Sequence, residues 1–388
     1  MDNSEIPLRN IEIEVLERRK RLKIATGVPM PFLTQEESIS SFFRFEGNIE
    51  KLIGFTQVPT GIAGPLKIKG NYANGDFMIP LATTEGALVA SYNRGMKAVS
   101  EAGGVTVLCV AEAVQRSPLF RFRNLQEVET FISWMEKCKP HFQDIVDAQS
   151  RYAKLKSVKT NIEGNQLILT FSYHTGEAAG QNMVTLSTEA ICQFLLKDSP
   201  VKPECWFIEG NYSGDKKATA LSFTNVRGKK VTAEIEIPAA IVRDILKTTA
   251  EAMARYWQSS TIGVVQTGAI GAQGHFANGL TALFLACGQD VACVAEAATG
   301  ITRMEVINQD DLYVAVTLPN LIVGTVGGGT GLPTQQECLN LLSCTGEGSS
   351  KKFAEICCAV VLAGELSIAA ALSAGHFAEA HRRLGRKQ

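Results

Sequence analysis

"VTVLCVAEAV" (105–114) decides the fold class, because its aliphatic and β-branched run predicts a strand where the chain changes character. The runs "QLILTFSY" (166–173) and "CWFIEG" (205–210) repeat that signature, and helix-like stretches at 127–145 and 182–196 lie among them. Strands alternating with helices over this span predict a small α+β unit of split-βαβ type. On its N-terminal side, 6–24 reads as a helix, with Pro7 near the first turn, Ile11, Ile13 and Leu16 as apolar positions, and acidic residues before basic ones. The Gly/Pro-rich "IGFTQVPTGIAGPLKIKG" (53–70) reads as turns and short extended pieces, and 84–99 as a helix led by Glu85. On the C-terminal side, long helices are expected at 238–256, 279–298 and 352–380. Between the last two, "LYVAVTLPNLIVGTVGGGTG" (312–331) reads as a strand followed by a glycine loop.

The 388 residues are 45% hydrophobic and 20% charged, which supports two or three domains around real cores. A formal net charge of −1 provides no overall basic field and argues against a nucleic-acid partner. None of the ten cysteines has C-x-x-C spacing, and Cys287, Cys293, Cys357 and Cys358 sit in apolar sequence. Buried free thiols in a reducing cytosol fit better than disulfides or a metal site. The N-terminus is too charged for a signal peptide. The apolar run 353–375 carries Glu355 and Glu365, which a bilayer span would not accept readily. The expectation is a soluble, cytoplasmic protein with no membrane partner.

Four ionisable residues stand in unusual surroundings. Glu85 has small and apolar neighbours in "ATTEGALVAS", and Asp290 reads as a carboxylate in the middle of an apolar helix, "LFLACGQDVACVAEAA". His376 ends another apolar helix, and Lys216 follows a turn-rich loop in "IEGNYSGDKKATA" (208–220). Singly, each reads as a satisfied structural group, and the DKK tripeptide as a solvated loop. Together they have the composition of an acid/base site around a lysine. "GTVGGGTG" (324–331) lacks the spacing of a dinucleotide fingerprint or a P-loop, and reads either as a backbone cradle or as a tight turn. "TGEAAGQNM" (175–183) reads as a helix N-terminus where an anion can sit. "QSRYAKLK" (149–156) offers Ser150, Arg151, Lys154 and Lys156 to a phosphate or to solvent.

In order along the chain, "IGFTQVPTGIAGPL", "PLATTEGALVASYNRG", "TGEAAGQNM", "EGNYSGDKKATA", "ACGQD", "IVGTVGGGTGLPTQ" and "LAGELSIAAALSAGH" together resemble the 3-hydroxy-3-methylglutaryl-CoA (HMG-CoA) reductases, class I in pattern. The resemblance implies an α+β fold. An N-terminal helical segment (1–53) would precede a large domain (54–117 and 219–388) built around a long central helix, with a small ferredoxin-like NADP-binding domain (118–207) and a catalytic lysine loop (208–218). It implies a homo-oligomer, dimer or tetramer, with interfacial active sites, no counterpart of the membrane anchor of animal and yeast members, and no serine after His376 for a phosphorylation switch. The implied reaction reduces an acyl thioester to an alcohol with two NADPH, HMG-CoA giving mevalonate and CoA for isoprenoid synthesis.

The same resemblance implies roles. Lys216 would stabilise the carbonyl oxygen, Glu85 would protonate it from an apolar setting, Asp290 would hold both, and His376 would protonate the CoA thiolate. Arg116 would bind the acyl carboxylate, Asn278 would hydrogen-bond near the lysine, and Asp215 and Lys217 would support the substrate loop. Asn93, Arg94 and Lys247 would contact CoA. Ser150 and Arg151 would take the 2′-phosphate of NADPH, and Glu177, Asn182, Val326, Gly327 and Gly328 would line the cofactor. Several positions depart from the family pattern, among them "VACVA" (291–295) where the family has "AAQNV". Ser260 replaces a lysine that pairs with the substrate carboxylate, Glu209 replaces a small residue before "GNY", and Glu177 replaces an aspartate. These leave open a different acyl thioester as substrate. A non-catalytic CoA-ester-binding module predicts decay of the four catalytic positions, and all four are present.

Overall fold

The computed structural model describes residues 10–39 and 42–375, so His376 lies outside the described residues. Helix α1 (Asn10–Thr26) leads the chain. Its Ile11, Ile13 and Leu16 are 68%, 45% and 50% exposed and do not dock on this chain's core.

Among the described residues ten strands form one sheet, and β3 (Val105–Arg116) holds its two halves together. The start of β3 pairs in parallel with β1 (Thr60–Gly70), and its length pairs antiparallel with β8 (Gly228–Ile237). Val114, Gln115 and Arg116 at its end pair instead with β6 (Gln166–His174). A register shift between Cys109 and Ala111 lets one strand serve both partners. The first half runs β2 (Asn74–Ala82), β1, β3, β8, β10 (Asp311–Leu321) and β9 (Ile301–Ile307). In the second half, β4 (Leu119–Arg121) and β5 (Lys154–Glu163) flank β6, each antiparallel to it, and β7 (Cys205–Phe207) pairs with β4. Helices α3 (Leu125–Cys138) and α4 (Phe142–Gln149) connect β4 to β5, which is the split βαβ the strand and helix runs predict. With α5 (Gln181–Asp198), this half encloses a separate core that includes Phe120, Phe131, Phe142 and Phe171.

The larger core surrounds α11 (Ser349–Ser373). By length and composition that helix could cross a membrane, but 83% of its apolar window is buried inside the protein. Its two carboxylates close neighbouring loops. Glu355 accepts from the N–H groups of Tyr72 (2.9 Å) and Ala73 (2.7 Å), and Glu365 from those of Gly274 (2.7 Å) and His275 (2.8 Å) and from the Thr302 hydroxyl (2.7 Å). Buried acids are tolerated when satisfied in this way. Helix α2 (Leu88–Glu101) crosses α11 at Gly95, where a Cβ would overlap the Ala363 carbonyl. This close crossing fixes where the N-terminus of α2 emerges.

Several expected boundaries are corrected. The 53–70 stretch contains the eleven-residue β1, which passes Gly61 and Pro65 with a register shift between Ala63 and Leu66. The 84–99 helix begins only at Leu88, after left-handed Ala87 (φ 68°). The 127–145 helix breaks at Lys139–His141, where Pro140 lacks an amide donor. The 238–256 helix is instead α6 (Ala239–Ile241), a π turn (Val242–Leu246) and left-handed Lys247, after which Thr249 caps α7 (Ala250–Thr267). The 279–298 helix divides into α8 (Phe276–Ala286) and α9 (Val294–Ala297). After the glycine loop, α10 (Pro333–Leu341) leads to α11, which is described as Ser349–Ser373 rather than 352–380.

Candidate active site

The end of α8 positions Asp290. Gly288 adopts φ 68° and lies against the backbone of Gly329, where a Cβ would overlap the Gly329 carbonyl. The Gln289 amide donates to the Gly324 carbonyl and accepts from the Gly324 N–H, both at 2.9 Å. Asp290 therefore emerges beside the glycine loop, not in mid-helix as its apolar neighbours suggest. It is 48% exposed, and it caps the turn Val291–Cys293 through the Ala292 N–H (3.0 Å). Its Oδ2 lies 2.8 Å from Lys216 Nζ. The hydrogen bond that the Lys216 ammonium donates to the Asp290 carboxylate raises the Lys216 pKa above the ordinary lysine value. Partial burial pushes the Asp290 carboxyl up, but the Lys216 ammonium and the Ala292 N–H outweigh it, so its pKa falls below the ordinary value. The pair is a fixed cation with a carboxylate behind it.

Lys216 itself has a left-handed backbone (φ 55°). Its N–H donates to Glu296 Oε1 at 3.1 Å, and Arg227 Nη1 contacts both Glu296 oxygens at 3.0 Å. Arg227 Nη2 also reaches Asp215 Oδ1 (2.6 Å) and Gln181 Oε1 (2.9 Å). Burial raises the Glu296 carboxyl to about 7 against the lowering pull of Arg227. Arg116 belongs to the same network: its Nη1 lies 3.2 Å from Glu209 Oε2 and 3.5 Å from Asp215 Oδ2. Glu209 also accepts from the N–H groups of Ser117 (3.3 Å) and Tyr212 (3.2 Å). Thus the guanidinium expected to meet a substrate carboxylate is matched by two acids of its own chain. Lys217 Nζ bonds the Asp215 carbonyl at 3.1 Å and is exposed.

Glu85 stands apart from this network. It lies in the bend before α2, is exposed rather than in an apolar setting, and accepts from Asn278 Nδ2 of α8 at 2.8 Å. It forms no ion pair with Lys216, so Asp290 holds the lysine without Glu85, and Asn278 serves Glu85 instead of the lysine. The reason is topological: α2 and the start of α8 present Glu85 and Asn278 together, while the end of α8 presents Asp290.

The expected CoA and cofactor residues fall into three sets. Asn93 accepts from the Gly64 N–H (2.9 Å), Arg94 clamps Ser367 of α11 through Nε (3.1 Å) and Nη2, and Lys247 is exposed at the π-turn exit. Ser150 accepts from the N–H groups of Tyr152 (3.2 Å) and Ala153 (3.3 Å), beside exposed Arg151. Ala178 bridges Val326, so the glycine loop and the start of α5 are adjacent, with exposed Asn182 in the first turn. Gly327 and Gly328 have φ 80° and 56°, and a Cβ at either would meet nothing. Glu177 turns away from that opening and accepts from the N–H groups of Gly348 (2.8 Å) and Ser350 (2.6 Å) at the start of α11. Burial pushes the Glu177 carboxyl up, but these hydrogen bonds hold it below the ordinary value.

Sequence reasoning missed Arg227, Glu296, Gln181 and Gln289. The argument that selected Asp290, a carboxylate among apolar residues, applies equally to Glu296. Arg227 in "NVRGKK" reads as part of a surface charge run and carries no such signal.

The family model for hydroxymethylglutaryl-coenzyme A reductase matches residues 14–386. The 3-hydroxy-3-methylglutaryl-coenzyme A reductase of Pyrococcus horikoshii is 44% identical over 376 residues, covering 95% of this chain and 91% of the relative. That of Methanocaldococcus jannaschii is 41% identical over 374 residues, covering 95% and 92%. Among solved structures, the class II 3-hydroxy-3-methylglutaryl-CoA reductase from Streptococcus pneumoniae bound to NADPH in open conformations is similar with a TM-score of 0.72, covering 94% of this chain and 97% of that one. At 19% identity that likeness is one of fold. With nearly its whole length inside one family model and 44% identity to a curated relative over 95% of it, this chain belongs to the hydroxymethylglutaryl-coenzyme A reductase family.

Proposed function

We propose that this chain reduces an acyl-CoA thioester to an alcohol with two NADPH, converting HMG-CoA to mevalonate and CoA. The observation that carries the proposal is the Lys216–Asp290 pair at 2.8 Å, an ammonium kept protonated on an accessible loop. Each hydride delivered to the carbonyl carbon leaves negative charge on its oxygen, and Lys216 stabilises that charge. Glu85, oriented by Asn278, donates the proton to the oxygen. His376 protonates the CoA thiolate released when the hemithioacetal collapses to the aldehyde.

A nicotinamide dinucleotide fits the residues present. A Cβ at Gly327 or Gly328 would meet no atom of the described residues within 4 Å, next to Val326 and the first turn of α5 with Asn182. Arg151, which has no carboxylate partner among the described residues, and Ser150 would take a 2′-phosphate. When bound there, the dinucleotide supplies the hydrides. Glu177 supports this site indirectly, because its carboxylate is committed to the start of α11. Residues 118–207 form the cofactor domain in this reading, 208–218 the lysine loop, and 54–117 with 219–388 the substrate and dimerisation domain. Asn93 and Arg94 would meet CoA through the groups not already engaged, Nδ2 and Nη1, together with Lys217 and Lys247.

The separation of Lys216 from Glu85 supports a homodimer or larger homo-oligomer whose site is completed between two copies. Class I membership rests on the motif resemblance. A cytoplasmic setting is supported by the ten cysteines, all free thiols. A second reading, reduction of an acyl thioester without a free carboxylate, is favoured by the Arg116–Glu209 contact and by Ser260, whose hydroxyl bonds the Trp257 carbonyl (3.1 Å). The test follows NADPH absorbance with HMG-CoA and uncharged acyl-CoA esters, with Lys216→Ala as control. Oxidation with HMG-CoA supports the first reading, preference for uncharged esters the second, and no turnover of any thioester contradicts both.

A further inference from the structure

We propose that Glu296, braced by Arg227, is a positioning residue for Lys216, fixing the backbone from which the ammonium reaches Asp290. The short segment 290–296 grips the lysine at two points: Asp290 Oδ2 takes the side-chain ammonium at 2.8 Å, and Glu296 Oε1 takes the backbone N–H at 3.1 Å. The backbone point is needed because Lys216 adopts φ 55°, a conformation that a β-carbon disfavours and that relaxes without support. Arg227 makes the support rigid. Its Nη1 bonds both Glu296 oxygens, its Nη2 holds Asp215 and Gln181, and its own N–H donates to Asn320 Oδ1 (2.9 Å).

Glu296 is 0% exposed and Arg227 1%, so a costly charged pair has been buried at the spot where the lysine loop turns. Apolar residues would fill that volume at lower cost. What they lack is an acceptor for the Lys216 N–H and a fork that reaches the preceding residue. The ion pair is therefore explained by where it points, not by stability.

The inference rests on the proposed role of Lys216, and wild-type turnover separates the two. The experiment measures kcat and both KM values for the full-length wild-type chain, Glu296→Ala and Glu296→Gln. Glu296→Gln keeps an oxygen at the position of Oε1. The expected result is a kcat loss of about 10- to 100-fold in Glu296→Ala with KM values little changed, largely restored in Glu296→Gln. If Glu296→Ala does not fold, Arg227→Lys replaces it. That variant is expected to lower kcat at unchanged KM and to speed hydrogen–deuterium exchange at 213–218. Unchanged kcat in the folded variants, a loss confined to KM, or no recovery in Glu296→Gln overturns the positioning role. Absence of wild-type turnover contradicts the proposed reaction together with it.

Discussion

The two halves of the candidate site are built in opposite ways. Around Lys216, Arg227 and Glu296 are almost fully buried, and every residue from 215 to 217 bonds to a neighbour. Around Glu85 there is an exposed bend, where Asn278 bonds the carboxylate and Thr83 the backbone N–H. The cation half is preorganised within one chain, as an electrostatic stabiliser must be if it is to act without reorganising. The acid half is presented outward, on a scaffold fixed by the close crossing of α2 and α11.

Substitutions can break or sharpen this contrast. Lys216→Ala should lower kcat by about 10³-fold, with little change in melting temperature because the side chain is 44% exposed. Glu85→Gln should cost roughly 10²-fold in kcat, again without loss of stability. Unfolding of Glu85→Gln would show that this half is structural after all. Stability itself should report the buried half. A carboxyl raised to about 7 when folded favours the protonated, low-pH form. Stability should therefore fall as pH rises from about 4.5 to 7, by about 3 kcal/mol in all, and level off above. Urea unfolding at pH 5 and pH 7.5 measures that slope, and Glu296→Gln should flatten it. Asn278→Ala should lower kcat roughly tenfold by releasing Glu85. The smallest effect is expected from Glu209→Ser, which removes one of the two acids facing Arg116 and should reduce KM for HMG-CoA by about threefold at unchanged kcat. A rise in KM would mean that Glu209 assists binding of the anionic acyl chain.

The same contrast explains what the sequence could convey. The strand at 105–114, the alternation after it and the glycine loop were legible because period and composition report local structure directly. Lys216, Asp290 and Glu85 stood out as charges in odd surroundings. Which residue would pair with which was not legible, since Asn278 with Glu85 and Arg227 with Glu296 are separated by 193 and 69 residues. Helix ends were misread where a tertiary contact overrode propensity. Gly288 stops α8 because its backbone must meet Gly329, and nothing within "FLACGQDVAC" announces that meeting.

Whether the halves meet across two copies is tested most directly by mixing two inactive variants. Lys216→Ala and Glu85→Gln chains, unfolded together and refolded as a mixture, form hybrids in which one of two sites has both residues intact. Recovery of about a quarter of wild-type activity is predicted for random dimers. No activity above that of the separate variants would mean that Lys216 and Glu85 act from the same chain, contradicting the divided site.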